Sequence, residues 1–277
     1  GAPLQVRPPR DVQKRGVFTL VFHPHGWIRN DQIVELIDYA EEKYGRRVKF
    51  LNFRECAQRL QRHLLAGQTL RADDGGDNGV RLLDVNHDGF VDVVIGNDQA
   101  RKTRVWLPKE NRFRDFDFPV PLVTKMDAQR VSTGVRFGVL KQTGEASMLV
   151  MGDEHTGGWH FTDKGWQADE RLTRGLKIID RDVRTVKGGV DQGVRLRDLD
   201  GDGCCELIAG GPDWQGVFRW DEAAGTWRSL PFTLPANSFI ADHSGRDAGL
   251  RFVDINGDGR DDVVFANEER WLAHFFE

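Results

Sequence analysis

Gly193-Val-Arg-Leu-Arg-Asp198-Leu-Asp200-Gly-Asp202-Gly203-Cys204-Cys-Glu206-Leu-Ile-Ala-Gly-Gly211 reads as two short strands joined by an oxygen-rich loop. Val194-Arg-Leu-Arg alternates apolar and charged residues, and Leu207-Ile-Ala is a short apolar run; both are strand signals. The same order of residues recurs at Gly79 (GVRLLDVNHDGFVDVVIGN), Gly134 (GVRFGVLKQTGEASMLVMG) and Gly249 (GLRFVDINGDGRDDVVFAN). The starts are spaced by 55, 59 and 56 residues, a period too even for chance.

Downstream, each unit continues with a stretch centred on tryptophan: Trp106, Trp159, Trp220 and Trp271. Turn residues follow, and in three units a fourth β-rich stretch then opens on an aromatic residue (RFRDFDF, GWQAD, TWRSLPF). Four short strands in about 50 residues are the pattern of a propeller blade. The expected fold is therefore mainly β: a β-propeller-like array of about four blades over residues 76–277, preceded by a small α/β segment over 1–75. The last unit reaches Glu277 after its third strand.

Composition narrows the function. There are 39 Lys+Arg against 43 Asp+Glu, so no broad basic surface exists for a phosphate backbone, and nucleic acid is not an expected partner. Apolar runs such as Val93-Val94-Ile95 are far too short to span a membrane. The three cysteines, Cys56, Cys204 and Cys205, form neither a disulfide framework nor a metal-binding pair spacing.

Three units carry acidic loops between their first two strands. Their side-chain oxygens fall at loop positions 1, 3, 5 and 9: Asp84, Asn86, Asp88 and Asp92; Asp198, Asp200, Asp202 and Glu206; Asp254, Asn256, Asp258 and Asp262. Gly89, Gly203 and Gly259 at position 6 permit a sharp bend, and the carbonyls of Phe90, Cys204 and Arg260 at position 7 supply a further oxygen. Ca²⁺ takes six to eight oxygens at flexible angles, whereas Mg²⁺ keeps its waters. About three structural Ca²⁺ sites are therefore expected. An EF-hand is excluded, because position 12 is Ile95, Ala209 or Phe265 rather than glutamate. In the Gly134 unit the matching residues are Val139, Lys141, Thr143 and Ser147, so that unit is read as metal-free, with Gly144 keeping the bend.

This Gly-apolar-Arg-apolar strand, acidic loop and apolar strand resemble the FG-GAP/VCBS repeat of the integrin α-chain propeller and many bacterial surface proteins. The resemblance runs from Gly79 to about Asn267. It implies a Ca²⁺-stabilised propeller that acts as an adhesion, carbohydrate-binding or protein-docking module. It also implies a periplasmic, cell-surface or secreted setting and a longer, multidomain parent chain. Two questions stay open in the sequence. Arg81, Arg136, Arg195 and Arg251 could line a channel for an anionic group or form a repeated salt bridge. Trp159, Trp166 and Trp214 could stack on sugar rings or pack in the core.

The N-terminal segment lies outside the repeat. Gly16–His23 reads as a buried strand, Asn30-Asp31 opens a helix with Ile33, Leu36, Ile37 and Ala40 on one face, and Gly45 ends it. Arg47–Phe53 reads as a second strand, followed by a helix from about Arg54 to Leu65. Thr19-Leu20-Val-Phe-His23-Pro-His25-Gly-Trp27 and the later VKFLNFREC resemble the C-terminal end of NodB-type polysaccharide deacetylases. That resemblance makes His23 a catalytic candidate, the histidine that assists acetate release, and the parent a carbohydrate-active hydrolase. The family's Asp-Asp and His-x-x-x-His motifs are absent here, so the chain by itself is not expected to deacetylate.

Overall fold

The computed structural model describes residues 17–19, 28–126 and 129–276. The chain divides into two compact units, one ending at Gly67 and the other starting at Gln68. In the first unit, helix α1 spans Asn30–Tyr44 and stops at Gly45, whose φ of 52° an L side chain disfavours. Ile33, Leu36, Ile37 and Ala40 are its half-buried face. The short helix α2, Phe53–Arg59, starts at a capping box: Asn52 Oδ1 accepts the Glu55 N–H, and Glu55 Oε2 accepts the Asn52 N–H. It runs on into one wider turn at Leu60–Leu64.

The second strand expected in this segment does not form. Gly45–Arg47 is a 3₁₀ turn, and residues 48–52 carry no ladder. An extended segment becomes a strand only by pairing. Of the Gly16–His23 segment, its intended partner, only residues 17–19 are described, and His23 and His25 lie outside the described residues.

The second unit is a run of antiparallel meanders. The first holds β1 (Val80–Leu83), β2 (Asp92–Gly96), β3 (Arg101–Leu107) and β4 (Arg112–Asp117). A hairpin, β5 (Val123–Met126) with β6 (Gln129–Ser132), leads to the next: β7 (Arg136–Val139), β8 (Ala146–Met151), β9 (Thr156–Thr162) and β10 (Gly165–Ala168). Two small hairpins follow, β11 (Lys177–Ile178) with β12 (Arg181–Asp182) and β13 (Val186–Lys187) with β14 (Val190–Asp191). The third meander is β15 (Val194–Arg197), β16 (Glu206–Gly210), β17 (Gln215–Asp221) and β18 (Thr226–Ser229). The last has three strands: β19 (Leu250–Val253), β20 (Asp262–Ala266) and β21 (Trp271–His274). These are the four repeats read from the sequence. The described residues show successive blade-like sheets rather than a closed ring.

The second strands β2, β8 and β16 are buried along their whole length, which explains their continuous apolar runs. The core lies between successive sheets. Val94, Val105 and Phe118 of the first meet Ala146, Met148 and Phe161 of the second. Leu149 and Leu172 meet Leu207, Phe218 and Trp227; Ile208 and Val217 meet Leu250 and Phe265. Each unit thus buries its face on its neighbour, as stacked repeats do. Trp159 and Trp166 belong to this packing. The Trp166 indole N–H also donates to Thr103 Oγ1 of the preceding sheet at 2.8 Å, so these two half-buried tryptophans serve the packing between sheets.

Candidate functional site

The acidic loops sit between first and second strands, so all of them lie at the same end of their sheets. Consecutive loops are tied together. The Val85 carbonyl accepts the Ala146 N–H, Val139 accepts Cys205 and Leu199 accepts Asp261. Within each acidic loop the sequence dictates one hydrogen-bond pattern. The position 1 carboxylate accepts backbone N–H groups from across the turn: Asp88 and Gly89 onto Asp84, Gly201 and Gly203 onto Asp198, Gly257, Asp258 and Gly259 onto Asp254. The position 5 carboxylate accepts the N–H of residue 7, namely Phe90, Cys204 or Arg260. Gly89, Gly203 and Gly259 have φ of 82–89°, the bend that the sequence requires.

Position 9 closes each loop from the second strand. Asp92, Glu206 and Asp262 are almost fully buried, and each accepts the N–H of position 2: Val85, Leu199 or Ile255. Asp92 and Asp262 give their other oxygen to the third-strand side, to the N–H of Trp106 (2.8 Å) and of Phe276 (2.9 Å). Burial pushes Asp92 up to about 6, and these N–H groups pull against it.

The donor set of the first loop fits a hard cation. Asn86 Oδ1 at position 3 is buried without a hydrogen-bond partner, the kind of orphaned oxygen that an ion would satisfy. Each carboxylate oxygen that accepts one N–H keeps a second lone pair for a metal. The last loop repeats the same Asp-Asn-Asp-Asp set, with Asn256 Oδ1 accepting the Asp258 N–H at 2.9 Å.

The middle loop differs. Asp198, Asp200 and Glu206 bring carboxylate oxygens within 4.8 Å of one another, the one such group among the described residues. Arg219, opposite on β17, reaches into it. Its guanidinium bonds Asp200 Oδ2 and, at 2.8 and 3.0 Å, Glu206 Oε1. Burial still holds Glu206 above the ordinary glutamate range.

In the unit whose ligand positions carry no acidic residue, position 9 is Ser147, whose Oγ lies 2.7 Å from His160 Nδ1; His160 Nε2 is 3.5 Å from Asp169. This is a serine–histidine–aspartate line, but Ser147 is fully buried on β8. A nucleophile that no substrate can reach is a structural hydroxyl.

The recurring arginines are structural too. Asp77, Asp191 and Asp247 each accept the N–H of the glycine two residues on and pair with Arg81, Arg195 or Arg251. Where Ser132 replaces the aspartate, Arg136 crosses to Asp191 of the next unit at 2.8 Å. The aspartate two before each glycine was visible in three units and is the signal that the sequence reading overlooked.

At the opposite end of the sheets, a cleft of about 570 Å³ opens between the third and fourth units. Trp214, on the turn between β16 and β17, forms one wall. Its indole lies over Gly211, where an added Cβ would meet Nε1 at 2.8 Å. Phe239, Asp213, Gln215, Asn237 and Glu269 complete it, with Arg270 stacked over Phe265 at 5.1 Å.

Residues 198–265 match the model of the FG-GAP-like repeat. The match covers the middle and last acidic loops with strands β16 to β19 and nearly all of β20. No curated protein matches the chain. Among solved structures, a lectin of Agrocybe aegerita, described as specifically recognising non-reducing terminal N-acetylglucosamine, is 17% identical with a TM-score of 0.39. The overlap takes in 68% of this chain and 46% of that one, so this chain spans less than half of the lectin's length.

Proposed function

We propose that this chain is a Ca²⁺-stabilised recognition module of a longer, extracytoplasmic protein, and that its ligand is a glycan seated in the Trp214 cleft. The cleft is the observation that carries this reading. An indole wall suits the apolar face of a sugar ring, and the carboxylates and amides of Asp213, Glu269, Asn237 and Gln215 suit its hydroxyls. Strands one and two meet at the acidic loops, strands two and three at the cleft. The two ends are separated by the five residues of β16, roughly 17 Å. The metal therefore acts on stability, and the sugar needs no contact with it. With 39 Lys+Arg against 43 Asp+Glu the chain carries no excess of positive charge for an anionic polymer, and no helix among the described residues is long and apolar enough to cross a membrane.

The test is a glycan array probed with the Ca²⁺-loaded chain, followed by calorimetry on the sugars that bind. Trp214→Ala should weaken binding at least tenfold and, because the side chain also packs against the core of the third sheet, lower the melting temperature by a few degrees, so binding is measured well below that melt. Array binding that survives Trp214→Ala unchanged would move the ligand elsewhere. Absence of any binding would leave a protein ligand as the alternative.

A further inference from the structure

One structural position separates the four units: the residue facing position 9 across the second and third strands. The registers Val93↔Arg104, Ser147↔His160, Leu207↔Phe218 and Val263↔His274 set four pairs there. They are Asp92 with Val105, Ser147 with His160, Glu206 with Arg219, and Asp262 with Phe275. In the first and last units the facing residue is apolar, and the free carboxylate oxygen takes a backbone N–H instead. In the two middle units the facing residue carries side-chain nitrogen, and it bonds position 9 directly.

We infer that Arg219 is the resident cation of the middle loop, so that the chain holds two Ca²⁺ ions rather than three. The inference rests on the calcium reading of the other two loops. The middle loop has four carboxylates against three in each of the others, because Asp200 stands where they have Asn86 and Asn256. One guanidinium offsets that extra charge. Charge alone would leave room for an ion, but lone pairs decide. Nη2 bonds both Asp200 Oδ2 and Glu206 Oε1, and Nε bonds Glu206 Oε1 again. Glu206 Oε1 at position 9 thus spends both lone pairs on the arginine, and Asp200 Oδ2 at position 3 one of its two, so two of the four side-chain ligands that a Ca²⁺ cage needs already face the guanidinium. An entering ion must first displace a multidentate arginine, whose fork matches carboxylate geometry. Glutamate at position 9 belongs to the same adaptation, since its extra methylene carries the carboxylate out to the arginine. The loop is thereby built to stay folded without metal.

The test compares the full chain with Arg219→Met by calorimetry and terbium luminescence on chelator-stripped protein, together with melting in excess chelator. The expected result is two ions on the parent chain and three on Arg219→Met, with affinity at the middle loop at least tenfold higher in the variant. In chelator the variant should melt below the parent and recover when Ca²⁺ is added. Three equivalent ions on both proteins would overturn the inference. If neither binds any ion, the calcium reading fails by itself, and the chelator comparison still decides: a lower melting temperature for Arg219→Met supports the resident cation, and an unchanged one overturns it. Arg219→Lys guards against a mere loss of packing; it should restore metal-free stability at least in part.

Discussion

Asp191 shows how much one carboxylate can hold in this array. It binds Arg136 from the preceding unit and Arg195 from its own, and caps the Gly193 N–H. The Arg136 side chain is only 13% exposed, and burial lowers it to about 10. Burial also pushes Asp191 up, but the Arg136 and Arg195 charges and the hydrogen bonds outweigh that and hold it below the usual carboxylate range. Removing it would leave a buried guanidinium without its anion. Asp191→Ala should therefore cost about 3–5 kcal/mol in urea unfolding. Asp247→Ala breaks a pair about 60% exposed on both sides and should cost about 0–1 kcal/mol. Equal losses would refute the distinction. The sign with pH follows from the depressed pKa. Asp191 contributes fully above its unfolded value near 4, and that contribution is lost as the pH falls through the lower folded value. Acid unfolding of Asp191→Ala should accordingly be shallower than that of the parent chain below about pH 4.

At the scale of the element, each loop is a device for converging oxygens, and its two halves depend on each other. Asn86→Ala removes an oxygen that has no partner within the protein. It should cut Ca²⁺ affinity at the first loop about tenfold or more, yet shift the melting temperature of chelated protein little, because the internal side-chain hydrogen bond lost is the exposed one from Asn86 Nδ2 to Asp88 Oδ2. A large destabilisation in chelator would show that Asn86 works through packing. These elements were legible for a definite reason. Asp, Asn and Gly at fixed offsets have few uses besides a tight polar turn, and an unbroken apolar run such as Val93-Val94-Ile95 in the second strand declares burial on both faces. What the sequence concealed were cross-strand partners. Nothing local says that Arg219 faces Glu206 or that His160 faces Ser147, because that depends on register. Trp166 and Trp214 look alike in the sequence. Only the stacking of sheets sends the first to Thr103 and leaves the second half-buried against the third-sheet core at the wall of a cleft. The expected strand at Arg47–Phe53 had suitable composition, but a strand also needs a partner, which composition does not supply.

Across the whole repeat unit, stability is shared between neighbours, since every core cluster joins two consecutive sheets. The loops continue that coupling in the backbone: Val85 accepts from Ala146 and Leu199 from Asp261. An ion that rigidifies one loop therefore fixes the base of the next sheet as well. Binding to the folded state alone adds about 2.7 kcal/mol per site at a hundredfold excess over Kd. With two sites loaded, and about 2–4 °C per kcal/mol for a domain of this size, Ca²⁺ should raise the melting temperature by roughly 10–20 °C. Chelator should reverse the rise. Asp84→Ala and Asp254→Ala should each remove about half of it, and the double variant nearly all of it. Because the first and last loops stand at opposite ends of the array, with the third sheet and its resident arginine between them, their effects should add. A melting temperature indifferent to Ca²⁺ would reduce the acidic loops to ordinary turns. A rise abolished by either single variant would mean that the four sheets unfold as one tightly coupled body rather than as stacked neighbours.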